Sequence, residues 1–368
     1  MNIAIVGAGF SGAVLAYKLA QVGHKITVFE SRAHVAGNCH TTTDTHTGIM
    51  VHVYGPHIFH TNDTNVWQFI NKFDEFIPFI NRVKAIANKQ VYSMPINLHT
   101  INQFFKKTLR PEEAKKFIDS VAIKTTHQIL SFEDQALNYV GRDIYETFFK
   151  GYTLKQWGIH PKELPASILK RLPVRFNYND NYFDHIYQGI PRNGYTRMIE
   201  KMLDHSNIDL HLNRYFELYH SSNFDHIFYS GPLDKWFNYK YGNLHYRTLV
   251  FETFYADGDY QGNPVINYCD SDVAYTRITE HKHFSPWQTY DKTICYREFS
   301  RDCQHTDIPY YPIHLVKGME KLDKYKELVN HEQNVTFIGR LGTYRYIDMD
   351  VTIREALDLA EDFIRKNK

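Results

Sequence analysis

A strand, a glycine-rich turn, a helix, a second strand and an acidic stop occupy residues 1–30, and this order constrains the fold more than any other feature of the chain. Asn2-Ile3-Ala4-Ile5-Val6 is an apolar β-run, and Gly7-Ala8-Gly9-Phe10-Ser11-Gly12 follows at once. Ala13 to Gln21 carries helical apolar spacing through Val14, Leu15 and Leu19, and Gly23 closes that helix. Lys25-Ile26-Thr27-Val28-Phe29 is the second strand, and Glu30 ends it. In such a turn the first glycine, Gly7, makes the bend. Gly9 lets a pyrophosphate approach the backbone, and Gly12 lets helix and strand pack closely. The helix start at Phe10 and Ser11 offers free N–H groups and a positive dipole end to phosphates. Glu30 is placed to accept hydrogen bonds from a ribose. The unit predicts an α/β fold that binds a dinucleotide.

The chain continues Ser31-Arg32-Ala33-His34-Val35-Ala36-Gly37-Asn38. That continuation resembles the extended fingerprint of flavoproteins with two dinucleotide-binding domains, in which the Arg and the Gly-Asn segment run along FAD. The alternative reading is an exposed loop that happens to hold Arg and Gly.

The bulk properties exclude several classes. A net charge of +1 makes no electrostatic case for nucleic acid or a membrane surface. No apolar run reaches the roughly 20 residues that span a bilayer, and the chain opens directly on a strand rather than on a signal peptide. Cys39, Cys269, Cys295 and Cys303 form no CxxC pair, which fits a reducing, cytoplasmic setting. With 368 residues the chain is long enough for two or three domains.

Farther along, Ile49 to His60 reads as a strand and Trp67 to Phe73 as a short helix. Lys84-Ala85-Ile86-Ala87 and Gln90-Val91-Tyr92 form a hairpin around Asn88-Lys89. From Leu98 to Gly158 the pattern turns helical, with Thr100 as a cap, Pro111 at a first helical position and a capping-box-like Ser131-Phe132-Glu133-Asp134. Residues 165–182 read as a loop plus a strand, and residues 246–299 as antiparallel strands. Val335 to Gly339 is a buried strand and Asp350 to Lys366 a final amphipathic helix. The expected domains are 1–75 with 190–235 and 320–368 for the dinucleotide, 98–170 as a helical insertion, and 76–97 with 171–189 and 236–319 as an antiparallel sheet layer.

Several long strings now carry a family resemblance. They are Tyr54-Gly55-Pro56-His57-Ile58-Phe59-His60-Thr61, Lys150-Gly151-Tyr152-Thr153-Leu154-Lys155-Gln156-Trp157-Gly158, Lys170 to Phe176, Gln188-Gly189-Ile190-Pro191, Tyr275-Thr276-Arg277-Ile278 and Tyr310-Tyr311-Pro312. In these the chain resembles bacterial UDP-galactopyranose mutases from end to end. The resemblance implies a discontinuous Rossmann-like FAD-binding domain, a helical domain and an antiparallel sheet. It implies a non-redox ring contraction of a nucleotide-diphospho-pyranose to its furanose. Reduced FAD attacks the anomeric carbon through N5, the nucleotide diphosphate leaves, and the opened ring recloses. UDP-galactopyranose is the first substrate expected, with dTDP-fucopyranose and UDP-N-acetylgalactopyranose as alternatives. An external electron donor, a homodimer and a role in galactofuranose-type surface polysaccharides follow from the same resemblance.

The resemblance also distributes roles. Arg171 and Arg277 are the diphosphate cations, because Arg can fork two N–H groups onto phosphate. On the residues alone, Arg171 also reads as a surface cation and Arg277 as a strand-ladder charge. His60 sits beside the flavin. Tyr182, Tyr311 and Tyr346 reach the diphosphate. Phe148, Phe149, Tyr152, Thr153 and Trp157 match the base and sugar platform. Their spacing also suits a buried stripe, and we favour a half-way reading in which Phe148 and Phe149 partly pack and Tyr152 stacks on the pyrimidine. Asn81 is a sugar contact, and Arg247 lies on the substrate or cofactor side. Besides the glycine turn, Glu30, Ser31, Arg32, Gly37 and Asn38, the cofactor is met by His57, Ile58, Gly339, Arg340, Asp348 and Met349. The last helix turns its positive end toward the flavin. His57 and His60 have HxxH spacing, but no second ligand pair accompanies them, so no metal is expected. Ala36 departs from the family's Gly-Gly-Asn run. A flavin oxidoreductase or a non-catalytic FAD module would share the fold without needing Arg171 or Arg277.

Overall fold

The computed structural model describes residues 1–125, 128–171, 173–313 and 319–367, apart from the side chains at 170, 171 and 319. A five-stranded parallel sheet runs in the order Ile208–His211, Lys25–Phe29, Asn2–Val6, His226–Tyr229, Val335–Phe337. Three distant stretches of chain therefore build one sheet. Helices Phe10–Gln21, Gly194–Leu203 and Met349–Lys366 pack on it, joined through Ala13, Leu15, Leu19, Met198 and Ile353 in one core. Each fully buried aliphatic side chain there contributes about 2 kcal/mol.

A seven-stranded sheet forms the second layer, in the order Tyr311–Pro312, Tyr246–Asp257, Lys292–Asp302, Arg277–Glu280, Val265–Tyr268, Lys84–Ala87, Gln90–Ser93. It is not wholly antiparallel, as the sequence suggested: Val265–Tyr268 pairs in parallel with Lys84–Ala87. The Lys84–Ser93 hairpin arrives from far away in sequence, so no tight turn dictates its direction. Its turn is the expected Asn88-Lys89, both with positive φ.

Helices Leu98–Phe105, Pro111–Val121, Phe132–Ile144 and Gly151–Trp157, with a π-helical turn at Tyr145–Lys150, make the third body. Asn97, not Thr100, caps the first of these: its side chain accepts from the His99 and Thr100 amides. Thr100 instead turns its hydroxyl back to the Ser93 carbonyl. The stretch read as one strand over Ile49 to His60 is two, Met50–His52 and Phe59–Thr61, separated by a turn in which Gly55 has φ +94°. Phe59–Thr61 pairs with Tyr187–Pro191, which also pairs with Phe76–Pro78. The short helix is Thr64–Ile70, three residues earlier than read, because Asp63 caps it. No strand occurs in the described part of 165–182; Ala166–Arg171 is a 3-10 helix.

Candidate active site

The glycine turn is shaped by backbone contact. A Cβ at Gly12 would lie 2.0 Å from the Gly7 carbonyl, and one at Gly7, where φ is +101°, would lie 2.1 Å from Ser230 Oγ. Gly37 (φ +53°) folds against Gly9, where a Cβ would stand 3.3 Å from the Gly9 Cα. The helix Phe10–Gln21 begins at Gly9 with no side-chain cap and no acidic residue in its first turn, so its first N–H groups face outward for an anion.

These residues line a cavity of about 730 Å³. Of the cofactor residues named from sequence, Gly7, Gly9, Phe10, Ser11, Gly12, Glu30, Ser31, Arg32, Gly37, Asn38, His57, Gly339, Arg340 and Met349 all border it. Ile58 and Asp348 do not. The Ile58 side chain is buried in the core shared with the helical body. Asp348 is the residue before the first turn of helix Met349–Lys366. Reading missed Ser230, Arg214 and Tyr310, which reach the same cavity from distant strands and loops.

Glu30 is not the free acceptor that the sequence suggested. It is 5% exposed, and its oxygens accept from the Ala8 and Arg32 amides, each at 2.9 Å. The carboxylate ties the glycine turn to the second strand and keeps lone pairs for a ligand on its cavity side. Arg32 donates from Nη2 to Asn38 Oδ1 (2.8 Å) and lies 4.8 Å over the Tyr54 ring, while its buried Nη1 has no partner among the described residues. His57 is held as one tautomer, with Nδ1 2.8 Å from the Gly55 carbonyl. Burial pulls its pKa down to about 4, with Arg340 adding to the effect.

A second group of side chains gathers beside this cavity. Arg277 Nη2 donates to the Tyr152 hydroxyl (2.9 Å), and Arg277 Nε lies 3.1 Å from Glu298 Oε1. Glu298 is 2% exposed and was not foreseen. Arg277 is thus a ladder charge with a partner: it and the buried Glu298 stand opposite one another on adjacent strands. Burial opposes charge on Arg277, but Glu298 and the surrounding Tyr152, Tyr311 and Tyr182 together outweigh it and hold the guanidinium pKa above its ordinary value. Burial pushes the phenols of Tyr152 and Tyr311 upward, so both keep their protons as donors. The Tyr311 ring lies 5.4 Å from Tyr346 and 6.3 Å from Trp157. Tyr182 is close enough to act electrostatically on Tyr152 and Arg277, and its amide donates to the Asn81 carbonyl. Asn81 is 4% exposed, and its Oδ1 has no partner among the described residues. Arg340 joins the two regions: it borders the cavity and stacks over Tyr346 (4.8 Å) and Tyr311 (5.6 Å).

Other residues fall elsewhere. Phe148 and Phe149 are core: Phe148 packs on Tyr92 and Phe104, and Phe149 near Phe132. Both rings lie in the π-helical turn Tyr145–Lys150, with Tyr145 buried beside them. Thr153 is buried as well. Arg247 is 3% exposed and committed to the Gln156 carbonyl, Ser300 Oγ and Asp302, so it presents no free charge. His60 is buried, stacked 3.6 Å from Phe183, with Nδ1 2.8 Å from His185 Nδ1. The Arg171 side chain lies outside the described residues. Asp259, Glu280 and His283 also cluster. There the Glu280 carboxylate accepts three backbone amides and Lys282 pairs with Asp259, which accounts for the cluster without an ion.

A sequence profile of the UDP-galactopyranose mutase family matches residues 147–346, more than half of the chain, and a profile of the NAD(P)-binding Rossmann-like domain matches residues 5–73. The chain belongs to the UDP-galactopyranose mutase family. It is 56% identical to a "Probable UDP-galactopyranose mutase" of Klebsiella pneumoniae over 99% of this chain and 94% of that one. It is 52% identical to a dTDP-fucopyranose mutase of Escherichia coli over 100% of this chain and 99% of that one. The fold also matches a crystal structure of reduced UDP-galactopyranose mutase, with a TM-score of 0.74 and 14% identity over 99% of this chain and 93% of that one. As a mutase of this family the protein is an isomerase, and its cofactor is FAD. The cradle fits that group: Gly7 and Gly12 let the turn close tightly where a Cβ would collide with Ser230 and the Gly7 carbonyl, Gly9 leaves its surface open, the first helix is uncapped, and the buried Arg32 Nη1 is unpartnered among the described residues. No helix among the described residues is long and apolar enough to cross a membrane.

Proposed function

We propose that this mutase interconverts a nucleotide-diphospho-pyranose and its furanose, with UDP-galactopyranose as its substrate. One observation carries the reading: the charged Arg277 is hydrogen-bonded to Tyr152 and flanked by Tyr311, and the Tyr311 ring lies under Arg340, which borders the cofactor cavity. A diphosphate lying across Arg277 and the two phenols would have its sugar directed toward that cavity.

Bound FAD, in its reduced form, supplies the nucleophile. The protein's side chains hold and stabilise the group that leaves. Arg277 carries a permanent charge, Tyr152 and Tyr311 supply O–H donors that stay protonated, and Tyr182 and Tyr346 add two further hydroxyls. Arg171 belongs to this set as the second diphosphate cation. Glu298 fixes the plane of the Arg277 fork and tempers its charge, so the diphosphate is held while it is displaced but not too tightly to return. Each charge-assisted contact contributes about 2–4 kcal/mol to the transition state. Asn81, with a buried unpartnered oxygen, is suited to a sugar hydroxyl. The reading includes an external electron donor, a cytoplasmic setting, a homodimer and the supply of furanose to a surface polysaccharide.

The Escherichia coli relative supports a second substrate, dTDP-fucopyranose, on the same chemistry. Competition between UDP-galactopyranose and dTDP-fucopyranose, read as furanose product by chromatography with dithionite present, separates the two. Preference for the deoxy sugar by kcat/KM would replace the first substrate with the second.

A further inference from the structure

Lys155 lies on the helix Gly151–Trp157 between Tyr152 and Trp157, and its side chain is spent on a neighbouring loop. Its ammonium is wrapped by four backbone carbonyls of a single loop: Tyr268 (2.7 Å), Asp270 (2.8 Å), Val273 (2.9 Å) and Tyr275 (3.1 Å). Three N–H donors facing four oxygens is a saturated arrangement. The loop joins strand Val265–Tyr268 to strand Arg277–Glu280, so Tyr275 is two residues before Arg277. Contact between helix and loop is close elsewhere too, since a Cβ on Gly151 would lie 2.4 Å from the Cys269 carbonyl. At its other end the helix is tied down by Ser300 Oγ and Arg247 Nε, both donating to the Gln156 carbonyl.

We propose that Lys155 is a positioning residue for the diphosphate subsite: it clamps the helix that carries Tyr152 to the loop that leads into Arg277, and so sets the Tyr152–Arg277 pair. This rests on the reading of that pair as the diphosphate subsite. Lys155 touches no substrate. Without the clamp, helix and loop are joined at this point by packing alone, and the 2.9 Å contact between Tyr152 and Arg277 loses its fixed register. A shift on the order of 1 Å in such a pair lowers a rate by about 10²-fold.

The cage makes the test specific. Removing the side chain leaves four carbonyl oxygens around a hole of ammonium size, which a small cation can occupy. In Lys155→Ala holoenzyme, UDP should bind about tenfold more weakly by calorimetry on the oxidised protein, and kcat/KM should fall about 10²-fold. Methylammonium should restore much of both, whereas tetramethylammonium, too large for the cage, should restore neither. Lys155→Met keeps the apolar stem and fills the hole; it should show the same loss without rescue. Wild-type UDP affinity in Lys155→Ala, or a loss that methylammonium leaves unchanged, would overturn the clamp. Failure of the wild-type protein to bind UDP would overturn the subsite reading, and the clamp with it.

Discussion

The cofactor cradle and the substrate cleft are neighbours built on opposite plans. The cradle is mostly backbone: three glycines, an uncapped helix and a carboxylate spent on two amides, most of it within residues 7–38. The cleft is mostly side chain, with Tyr152, Tyr182, Arg277, Glu298, Tyr311 and Tyr346 converging from six separate places in the chain. A backbone site fails when space is lost; a side-chain site fails when a donor or charge is lost. The two regions should therefore respond to different mutations and to different pH ranges.

The largest effect should come from breaking the turn that shapes the cradle. Gly12→Val places methyls where even a Cβ would be 2.0 Å from a carbonyl, with no flexible neighbour to yield. The purified protein should carry no flavin absorbance and should unfold at a much lower temperature. Retention of stoichiometric FAD would contradict a backbone-built cradle.

Arg277→Lys should act on the cleft alone. It keeps the charge but loses the fork that spans Tyr152 and Glu298, so kcat/KM should fall by about 10²-fold or more, equivalent to about 3 kcal/mol. Flavin content and melting temperature should stay near wild type. Comparable loss of flavin would mean that the two regions are not separable.

Acid should distinguish them next. His57 is held neutral, with its pKa near 4 rather than 6.5. Between those values the unfolded chain takes up a proton that the folded chain refuses. The sign is therefore a loss of stability as pH falls from about 6.5 to 4, worth about 2 kcal/mol after allowance for its partial exposure to the cavity. His57→Gln should remove that part of the slope in denaturant titrations at stepped pH. Arg277, Tyr152 and Tyr311 are shifted away from this window, while burial raises the Glu298 carboxyl toward it, so any response of UDP affinity to acid should survive His57→Gln.

The smallest effect concerns Ala36, which holds φ +72° where the family's run has glycine. Ala36→Gly should relieve strain and stabilise the cradle by about 1 kcal/mol, read as a higher melting temperature of the flavin-bound protein. An unchanged or lower melting temperature would show that the strain is compensated locally.

These plans also explain what the sequence disclosed. The Rossmann unit was legible because its glycines, helix and Glu30 lie within a single βαβ segment with a periodicity for each part. Ser230 and Tyr310 were not, since nothing local marks which distant loops a parallel sheet will bring to its edge. In the cleft, residue types were legible and partners were not. Glu298 alternates in a strand like any other charge, and only the register that sets it opposite Arg277 reveals the pair. Phe148 and Phe149 are more fully packed than the half-way reading has them, because an aromatic stripe does not itself say how much of it the core takes; the π-helical turn that contains them leaves no mark in the sequence. Lys155 lay within a quoted motif, but four carbonyls leave no signature in side-chain identities.

The central claim is ring contraction that depends on a reduced flavin but consumes no net electrons. Its most direct test is incubation of the purified holoenzyme with UDP-galactopyranose, with and without dithionite, followed by chromatography for a furanose product. The account predicts furanose only under reduction, with many turnovers per flavin. No furanose from UDP-galactopyranose or dTDP-fucopyranose under reduction, together with bleaching of the oxidised flavin by either sugar nucleotide, would contradict it and mark the protein as an oxidoreductase.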